Sequence, residues 1–156
     1  TLSDRASQGI YEDKSGPLLK KLSEDFFSGN SRQVSVENTV IPDDEAQLIA
    51  LLKLLIESEN DIIFTTGGTG IGPRDITPDV VKSILDKEIP GIMEMIRVKY
   101  GMQFPNALVS RSIAGVAGKT LIYALPGNPK AVKEYADEIF KTVEHSFRML
   151  HNIDEH

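Results

Sequence analysis

Asp61-Ile62-Ile63-Phe64 runs directly into Thr65-Thr66-Gly67-Gly68-Thr69-Gly70-Ile71-Gly72-Pro73-Arg74-Asp75-Ile76-Thr77-Pro78-Asp79, and the order of these pieces decides the fold class. The first four residues form a brief apolar, β-branched run of strand length. The glycines that follow let backbone N–H groups approach a ligand with no side chain between. Thr77 is a good residue type for a helix N-cap, with Pro78 at the first helical position and Asp79 in the first turn. Strand, glycine loop and helix in this order form one step of an α/β domain.

The same alternation extends in both directions, which favours an α/β domain with a largely parallel sheet and no internal repeat. Upstream, Thr1-Leu2-Ser3 reads as the tail of a first strand. Ser15-Gly16-Pro17 introduces an amphipathic helix bearing Leu18, Leu19, Leu22, Phe26 and Phe27, which stops near Gly29-Asn30. Residues 33–41 read as a second strand with Val34, Val36 and Val40, and Pro42-Asp43-Asp44-Glu45 opens a helix with a carboxylate-rich first turn. In that helix Leu48, Ile49, Leu52, Leu55 and Ile56 keep helical spacing, while Leu51 and Leu54 widen the stripe toward burial on more than one side.

Downstream, residues 78–86 predict a short helix, and Pro90-Gly91 starts another carrying Ile92, Met93, Met95, Ile96 and Tyr100. Methionines at that spacing read as packing, in the core or against a second subunit. Residues 120–125 predict a further strand; Asn128 then caps and Pro129 begins a last helix whose Val132, Tyr135, Ile139, Val143, Phe147 and Leu150 seal one face of the sheet.

A chain of 156 residues, 40% hydrophobic and 26% charged, fits one domain with a full core. Its net charge of −6 and the lack of a Lys/Arg cluster argue against a nucleic-acid partner. With no cysteine there is no disulfide framework and no thiolate metal site, so the expected compartment is the cytoplasm. The longest apolar stretch, residues 48–56, is broken by Lys53 and too short to span a bilayer, so no membrane partner is expected. The chain starts at Thr1 without Met, which leaves room for residues before it.

Three strand ends run into helix starts, at Asp43, at the glycine loop and at Pro126-Gly127-Asn128. In a parallel sheet such ends share one edge, where ligands bind and helix N-termini favour anions. The loop is not a phosphate-binding GxxxxGK[ST] motif, because Pro73-Arg74 stands where Lys-Ser/Thr is required, and it is not GxGxxG. A tight turn and an anion cradle both remain open for the glycines alone. Arg74-Asp75 favours the cradle, since arginine clamps phosphate and a carboxylate holds Mg²⁺ through oxygen. Asp43, Asp44 and Asp79 have an alternative reading as caps and first-turn charges; Asp79 is left there, while Asp43 is open between the two. Arg5 and Arg111 lie in the polar clusters Ser3-Asp4-Arg5 and Ser110-Arg111-Ser112 beside strand ends. His145, His151 and His156 have no partner or spacing for metal or acid–base work, and nothing supports a covalent nucleophile.

Five ordered segments carry a family resemblance: Ser3-Asp4-Arg5-Ala6-Ser7 with Gly9 and residues 11–16 (YEDKSG), Ile41-Pro42-Asp43-Asp44-Glu45, residues 65–78 (TTGGTGIGPRDITP), residues 108–112 (LVSRS) and residues 125–129 (LPGNP). Over nearly its whole length the chain resembles the molybdenum cofactor biosynthesis family that includes molybdopterin adenylyltransferase and the related bacterial, plant and gephyrin G domains. The resemblance implies a single molybdopterin-binding domain over residues 1–156, a three-layer α/β/α sandwich with a mostly parallel central sheet, usually trimeric. It implies transfer of AMP from ATP, with Mg²⁺, to the terminal phosphate of molybdopterin, releasing pyrophosphate, and a molybdate-insertion protein as a further partner.

Carried over by motif, Asp75 and Asp43 resemble the acidic residues at the pterin and metal end of the family's pocket, and would be the catalytic and metal-binding carboxylates. Gly67, Gly68, Thr69 and Gly70 would line the phosphate region, and Pro126, Gly127 and Asn128 with Ser3, Asp4 and Arg5 the nucleotide part. Ser110, Arg111 and Ser112 would bind the substrate's phosphate or pterin, with Arg111 the natural cation. The family's first strand extends several residues before the Thr-Leu-Ser-Asp-Arg motif, a part not present here. The alternatives are a non-catalytic pterin-binding or scaffold homologue, a molybdate-insertion domain, and hydrolysis of acyl or nucleotide substrates.

Overall fold

The computed structural model describes residues 1–153. In chain order the elements are α1 (Asp4–Ser7), α2 (Ser15–Gly29), α3 (Glu45–Glu57), β1 (Ile62–Thr66), α4 (Thr77–Ile84), β2 (Lys87–Glu88), α5 (Pro90–Gly101), a 3₁₀ segment (Pro105–Val109), β3 (Ile113–Ala117), β4 (Thr120–Leu125) and α6 (Pro129–Leu150). The sheet has the order β1-β4-β3-β2.

All six residues of β4 are buried, which makes it the centre of the molecule. Because successive strand side chains point to opposite faces, it feeds both layers at once. Leu121, Tyr123 and Leu125 join Leu19 of α2, Met93 and Ile96 of α5, and Val132, Tyr135, Ile139 and Val143 of α6. Ile122 and Ala124 join Leu48 and Leu52 of α3 and Val80 and Val81 of α4. The expected α/β/α layering is thus present, with the last helix sealing one face. Phe26 of α2 stacks on Phe140 of α6 at 4.5 Å between ring centroids and adds to the contact between those helices.

The sheet is mixed rather than mostly parallel. β1 and β4 are parallel, but β3 pairs antiparallel with both β4 and β2. The cause is the two-residue link Gly118-Lys119 between β3 and β4. Gly118 has φ +58, and so short a turn can only return the chain alongside itself. Sequence reading missed β3 because Ile113-Ala114-Gly115-Val116-Ala117 is short and built of small residues. Small size is what the packing needs: a Cβ on Gly115 would lie 2.4 Å from the Lys87 carbonyl oxygen of β2. β2, Lys87–Glu88, falls in the short gap between the helix expected over residues 78–86 and the one expected from Pro90, where no strand was expected. The helix expected over residues 78–86 stops at Ile84, and Asp86 then donates its N–H to the Val116 carbonyl.

The second expected strand does not form over residues 33–40; only Ile41 makes a bridge, parallel to Leu2. Leu2 also donates to the Thr66 carbonyl at 2.8 Å and so lies between Ile41 and β1. Helix α3 is buried on one side only: Leu48 and Leu52 are in the core, while Leu54 is exposed. Of the methionines of α5, Met93 is buried and Met95 exposed.

Candidate functional site

Thr66 of β1 and Leu125 of β4 are register partners at the carboxyl ends of parallel strands. The two loops that follow therefore leave the sheet side by side. Gly67 donates its N–H to the Leu125 carbonyl at 3.0 Å, and a Cβ on Gly127 would lie 3.0 Å from the Gly67 Cα. Gly67 has φ +100, and a Cβ there would also come within 2.3 Å of the Leu2 carbonyl oxygen. Only glycine satisfies both the dihedral and the contact. Gly68, at φ +63, lies beneath Thr77 and Asp43.

Thr77 does not cap α4 as expected. It is the first helical residue, fully buried, and its hydroxyl donates to the Gly67 carbonyl at 2.8 Å while its N–H reaches the Gly68 carbonyl. The loop carbonyl outcompetes the helix end. Asn128 does cap α6, accepting from the Ala131 N–H at 2.8 Å, and Asp44 caps α3. The N-termini of α4 and α6 both follow loops of this edge, adding positive dipole ends to it.

The parallel Leu2–Ile41 bridge puts Asp4 and Asp43, each two residues on, opposite one another. Their bonding is reciprocal: Asp4 N–H donates to Asp43 Oδ2 at 3.1 Å and Asp43 N–H to Asp4 Oδ1 at 3.0 Å. Arg74 bridges this pair to the glycine loop, donating to Asp4 Oδ2 at 2.6 Å and to the Asp43 carbonyl at 3.1 Å, and two-thirds of its side chain stays exposed. Asp75 turns back on its own loop, its Oδ2 accepting from the Gly72 N–H at 2.8 Å. A Cβ on Gly70 would lie 2.7 Å from that oxygen, so the carboxylate rests directly on the glycine backbone.

Ser110, Arg111 and Ser112 reach the same edge for a reason not visible in a parallel reading. They precede β3, and because β3 is antiparallel its beginning lies beside the end of β4. Thr69, Ser110 and Ser112 place their hydroxyls in a row, with 3.5 Å and 2.8 Å between successive oxygens. Arg111 does not extend as an open cation. Its Nε donates to the Gly70 carbonyl at 2.7 Å, Nη1 to both oxygens of Asp79, and Nη2 to the Asp75 carbonyl. Asp79, read as a first-turn charge, is thus also an arginine partner.

Two clefts open at this edge. One, of about 230 Å³, is lined by Leu2, Ser3, Tyr11, Asp13, Lys14 and Gly127 among others. The other, of about 470 Å³, is lined by Thr69, Gly70, Ile71, Asn106, Ser110 and Pro126 among others. Ser3 contributes its hydroxyl as the cap of α1, accepting from the Ala6 N–H, and the Arg5 guanidinium lies 5.7 Å from the Tyr11 ring centroid.

Tyr11, Asp13 and Lys14 were missed as lining residues, although the YEDKSG segment had stood out as a motif. The signal was Asp13 two and three positions before Ser15 and Gly16, the spacing of an N-terminal cap. Asp13 Oδ1 accepts from both of their N–H groups, and its Oδ2 accepts from the Thr1 hydroxyl at 2.8 Å. Burial pushes the Asp13 carboxyl up, but the bonds from Gly16, Thr1, Asn38 and Ser15 outweigh it and hold the group below its ordinary value. Ser15 in turn donates to the Gly127 carbonyl at 2.7 Å, tying the start of α2 to the second loop.

The family described as probable molybdopterin binding domain matches residues 1–145 of this chain. The chain belongs to that family. A molybdopterin adenylyltransferase of Helicobacter pylori (strain J99) is 38% identical over 150 residues, covering 95% of this chain and 83% of that protein. Gephyrin of Dictyostelium discoideum is 34% identical over 158 residues, covering 97% of this chain but 22% of that longer protein. Among solved structures, the molybdopterin biosynthesis enzyme MoaB of Thermus thermophilus superposes with a TM-score of 0.85 at 31% identity, covering 97% of this chain and 92% of that one. The family's fold is therefore this chain's fold.

Among the described residues no group of three or more His, Asp or Glu side chains gathers around a metal position, and no helix is long and apolar enough to cross a membrane. His151 packs against the Phe147 ring, away from the loop edge in sequence and contact, and His156 lies outside the described residues.

Proposed function

We propose that this chain is a molybdopterin adenylyltransferase. A terminal phosphate oxygen of molybdopterin attacks the α-phosphorus of ATP; the new P–O bond forms as the bond from that phosphorus to the bridging oxygen breaks, and pyrophosphate leaves. The nucleophile is already anionic, so positioning and charge neutralisation suffice and no side-chain nucleophile is needed. The observation that carries this reading is the pair of touching glycine loops with Asp43 and Asp75 beside them, each carboxylate oriented by one backbone N–H.

In this reading the backbone N–H groups of Gly68, Thr69 and Gly70 face phosphate, the hydroxyls of Thr69, Ser110 and Ser112 take the second anion, and Ser3, Asp4, Arg5, Pro126, Gly127 and Asn128 bound the nucleotide. Oδ1 of Asp43 and Oδ1 of Asp75 have no hydrogen-bond donor among the described residues. Magnesium takes one or two carboxylates and completes its shell with water and substrate phosphates, so this donor set fits it without a third acidic group. Bound there, Mg²⁺ would neutralise charge on the transferring phosphoryl group. A homotrimer and a cytoplasmic location belong to the same proposal, and the exposed Met95, Val98 and Met102 leave apolar surface for a subunit contact.

The test is a pyrophosphate-release assay on the full chain with molybdopterin and Mg·ATP. Release that depends on molybdopterin is expected. Molybdopterin binding without release, under conditions where the Escherichia coli adenylyltransferase turns over, would overturn the catalytic reading in favour of a pterin-binding scaffold.

A further inference from the structure

Arginine carries five N–H donors in a planar fork. In Arg111 four of the five are spent on the protein: Nε on the Gly70 carbonyl, one N–H of Nη2 on the Asp75 carbonyl and both of Nη1 on the Asp79 carboxylate. Its own N–H donates to the Thr69 carbonyl at 2.8 Å. The side chain therefore spans residues 70–75 from end to end and continues to the first turn of α4. Its base is held too, since Arg97 of α5 donates to the Ser112 carbonyl at 2.9 Å and lies 3.5 Å from that of Ser110.

The loop so gripped has little other fixation. Gly72 N–H donates to Asp75 Oδ2, Asp75 N–H returns to the Gly72 carbonyl, and Ile76 N–H goes to the Arg74 carbonyl. These bonds close the turn on itself but do not attach it to the sheet. Ile76 packs at the loop's end on the core beside Leu48 and Val80, and the remaining attachment comes from the two arginines, which differ. Arg74 uses Nη2 alone, on an exposed rim, whereas Arg111 uses all three nitrogens on groups fixed in the backbone or helix.

On the adenylyltransferase reading above, we infer that Arg111 is a positioning residue: it sets the glycine loop, and through the Asp75 carbonyl the Asp75 carboxylate, rather than binding the substrate's anion itself. A phosphate-binding arginine presents several open donors, and here four of the five are turned onto the protein, which leaves one N–H of Nη2.

The distinction separates charge from fork. Lysine keeps the charge but cannot reach three acceptors at once, so Arg111→Lys would preserve much of a phosphate contact and little of a brace. Hydrogen exchange on the unliganded full chain reads the brace without any substrate. In Arg111→Lys the amides of residues 70–76 are expected to exchange about tenfold faster than in the wild type, with β4 and α6 unchanged. In the release assay kcat is expected to fall by about tenfold with the KM for ATP and for molybdopterin within about twofold.

Unchanged exchange in residues 70–76, or a raised KM with kcat retained, would overturn the assignment. A merely structural role would instead loosen β4 and α6 in step with the loop. Should Arg111→Lys not fold, Asp79→Ala removes the acceptor of Nη1 at a solvent-exposed site. It should still speed exchange of the same amides by about twofold, and no local change would count against the brace. A wild type that releases no pyrophosphate would defeat the adenylyltransferase reading, while the exchange contrast would still decide what Arg111 holds.

Discussion

Two acidic clusters in this chain are built from the same chemistry and arranged to opposite effect. Between α5 and α6, Glu138 is 4% exposed and is met by Lys99 and by Lys141, the latter at 2.7 Å, with the Tyr100 hydroxyl 3.5 Å away. Countercharge is brought to the carboxylate by long flexible side chains. At the loop edge Asp43 and Asp75 are oriented by backbone N–H groups instead, and no cation meets either carboxylate among the described residues. A side chain held by peptide dipoles is positioned without being neutralised. The first arrangement ties two helices together; the second keeps negative charge available beside a glycine loop, which a cation and a polyphosphate can use.

The sharpest way to break this contrast is at Gly67, where the loop edge depends on the backbone alone. Gly67→Ala demands φ +100 of an L-residue and drives a methyl into the Leu2 carbonyl. The expected cost is about 3 kcal/mol or more in urea unfolding. A cost below about 1 kcal/mol would mean that the loop can move away from Leu2.

Next in size is a reciprocal test of the two clusters. Asp75→Asn keeps the shape and the acceptor for Gly72 but loses the charge, so turnover should fall about a hundredfold with stability within about 0.5 kcal/mol. Glu138→Gln should do the reverse, leaving turnover unchanged and lowering stability by about 1–2 kcal/mol, because the two lysines are largely exposed. An Asp75→Asn protein of unchanged rate would remove Asp75 from its assigned role.

Acid titration of stability follows from the same cluster. Burial raises the Glu138 carboxyl, but bonds to Lys141 and Lys99 and their charges outweigh it, leaving the group below its ordinary value. Asp13 is lowered as well. In the acid range the unfolded chain then binds more protons than the native one, so stability rises with pH. The contribution is fully present above about pH 4.5 and is lost as the pH falls through the depressed folded values. Glu138→Gln should flatten the unfolding midpoint between about pH 3 and 5, and an unchanged slope would show that the pairing with lysine contributes nothing there.

What could be read from the sequence is local. The edges after β1 and β4 were legible because glycine, proline, asparagine and threonine mark strand-to-helix turns by their own backbone preferences. The apolar spacing of α6 was legible for the same reason. Pairing direction was not: β3 has no β-branched run, and its antiparallel course follows from a two-residue turn. The strand expected over residues 33–41 had the composition of one and pairs only at Ile41. At the site, Asp43, Asp75 and the glycines stood out as candidates by motif, and they lie at one edge of the sheet. Two of the three partners of the Arg111 side chain could not, because those of Gly70 and Asp75 are carbonyls, present in every residue and open only where a loop leaves them unpaired.

The smallest expected effect lies in the core, at a polar group that has neither of the two arrangements. Tyr123 is fully buried on β4, its ring stacked 5.4 Å from that of Phe64. Burial pushes its hydroxyl up to about 12 against a minor opposing pull from Ser146, and the oxygen makes no hydrogen bond of adequate geometry. A buried hydroxyl without a partner has lost its water and gained nothing in return. Removing it should therefore do no harm: Tyr123→Phe is expected to change unfolding stability by less than about 1 kcal/mol, and toward the stable side. A loss of about 1.5 kcal/mol or more would reveal a bond from Tyr123 to Ser146 in solution, and would make β4 a third place where a polar side chain is held by the protein rather than stranded in it.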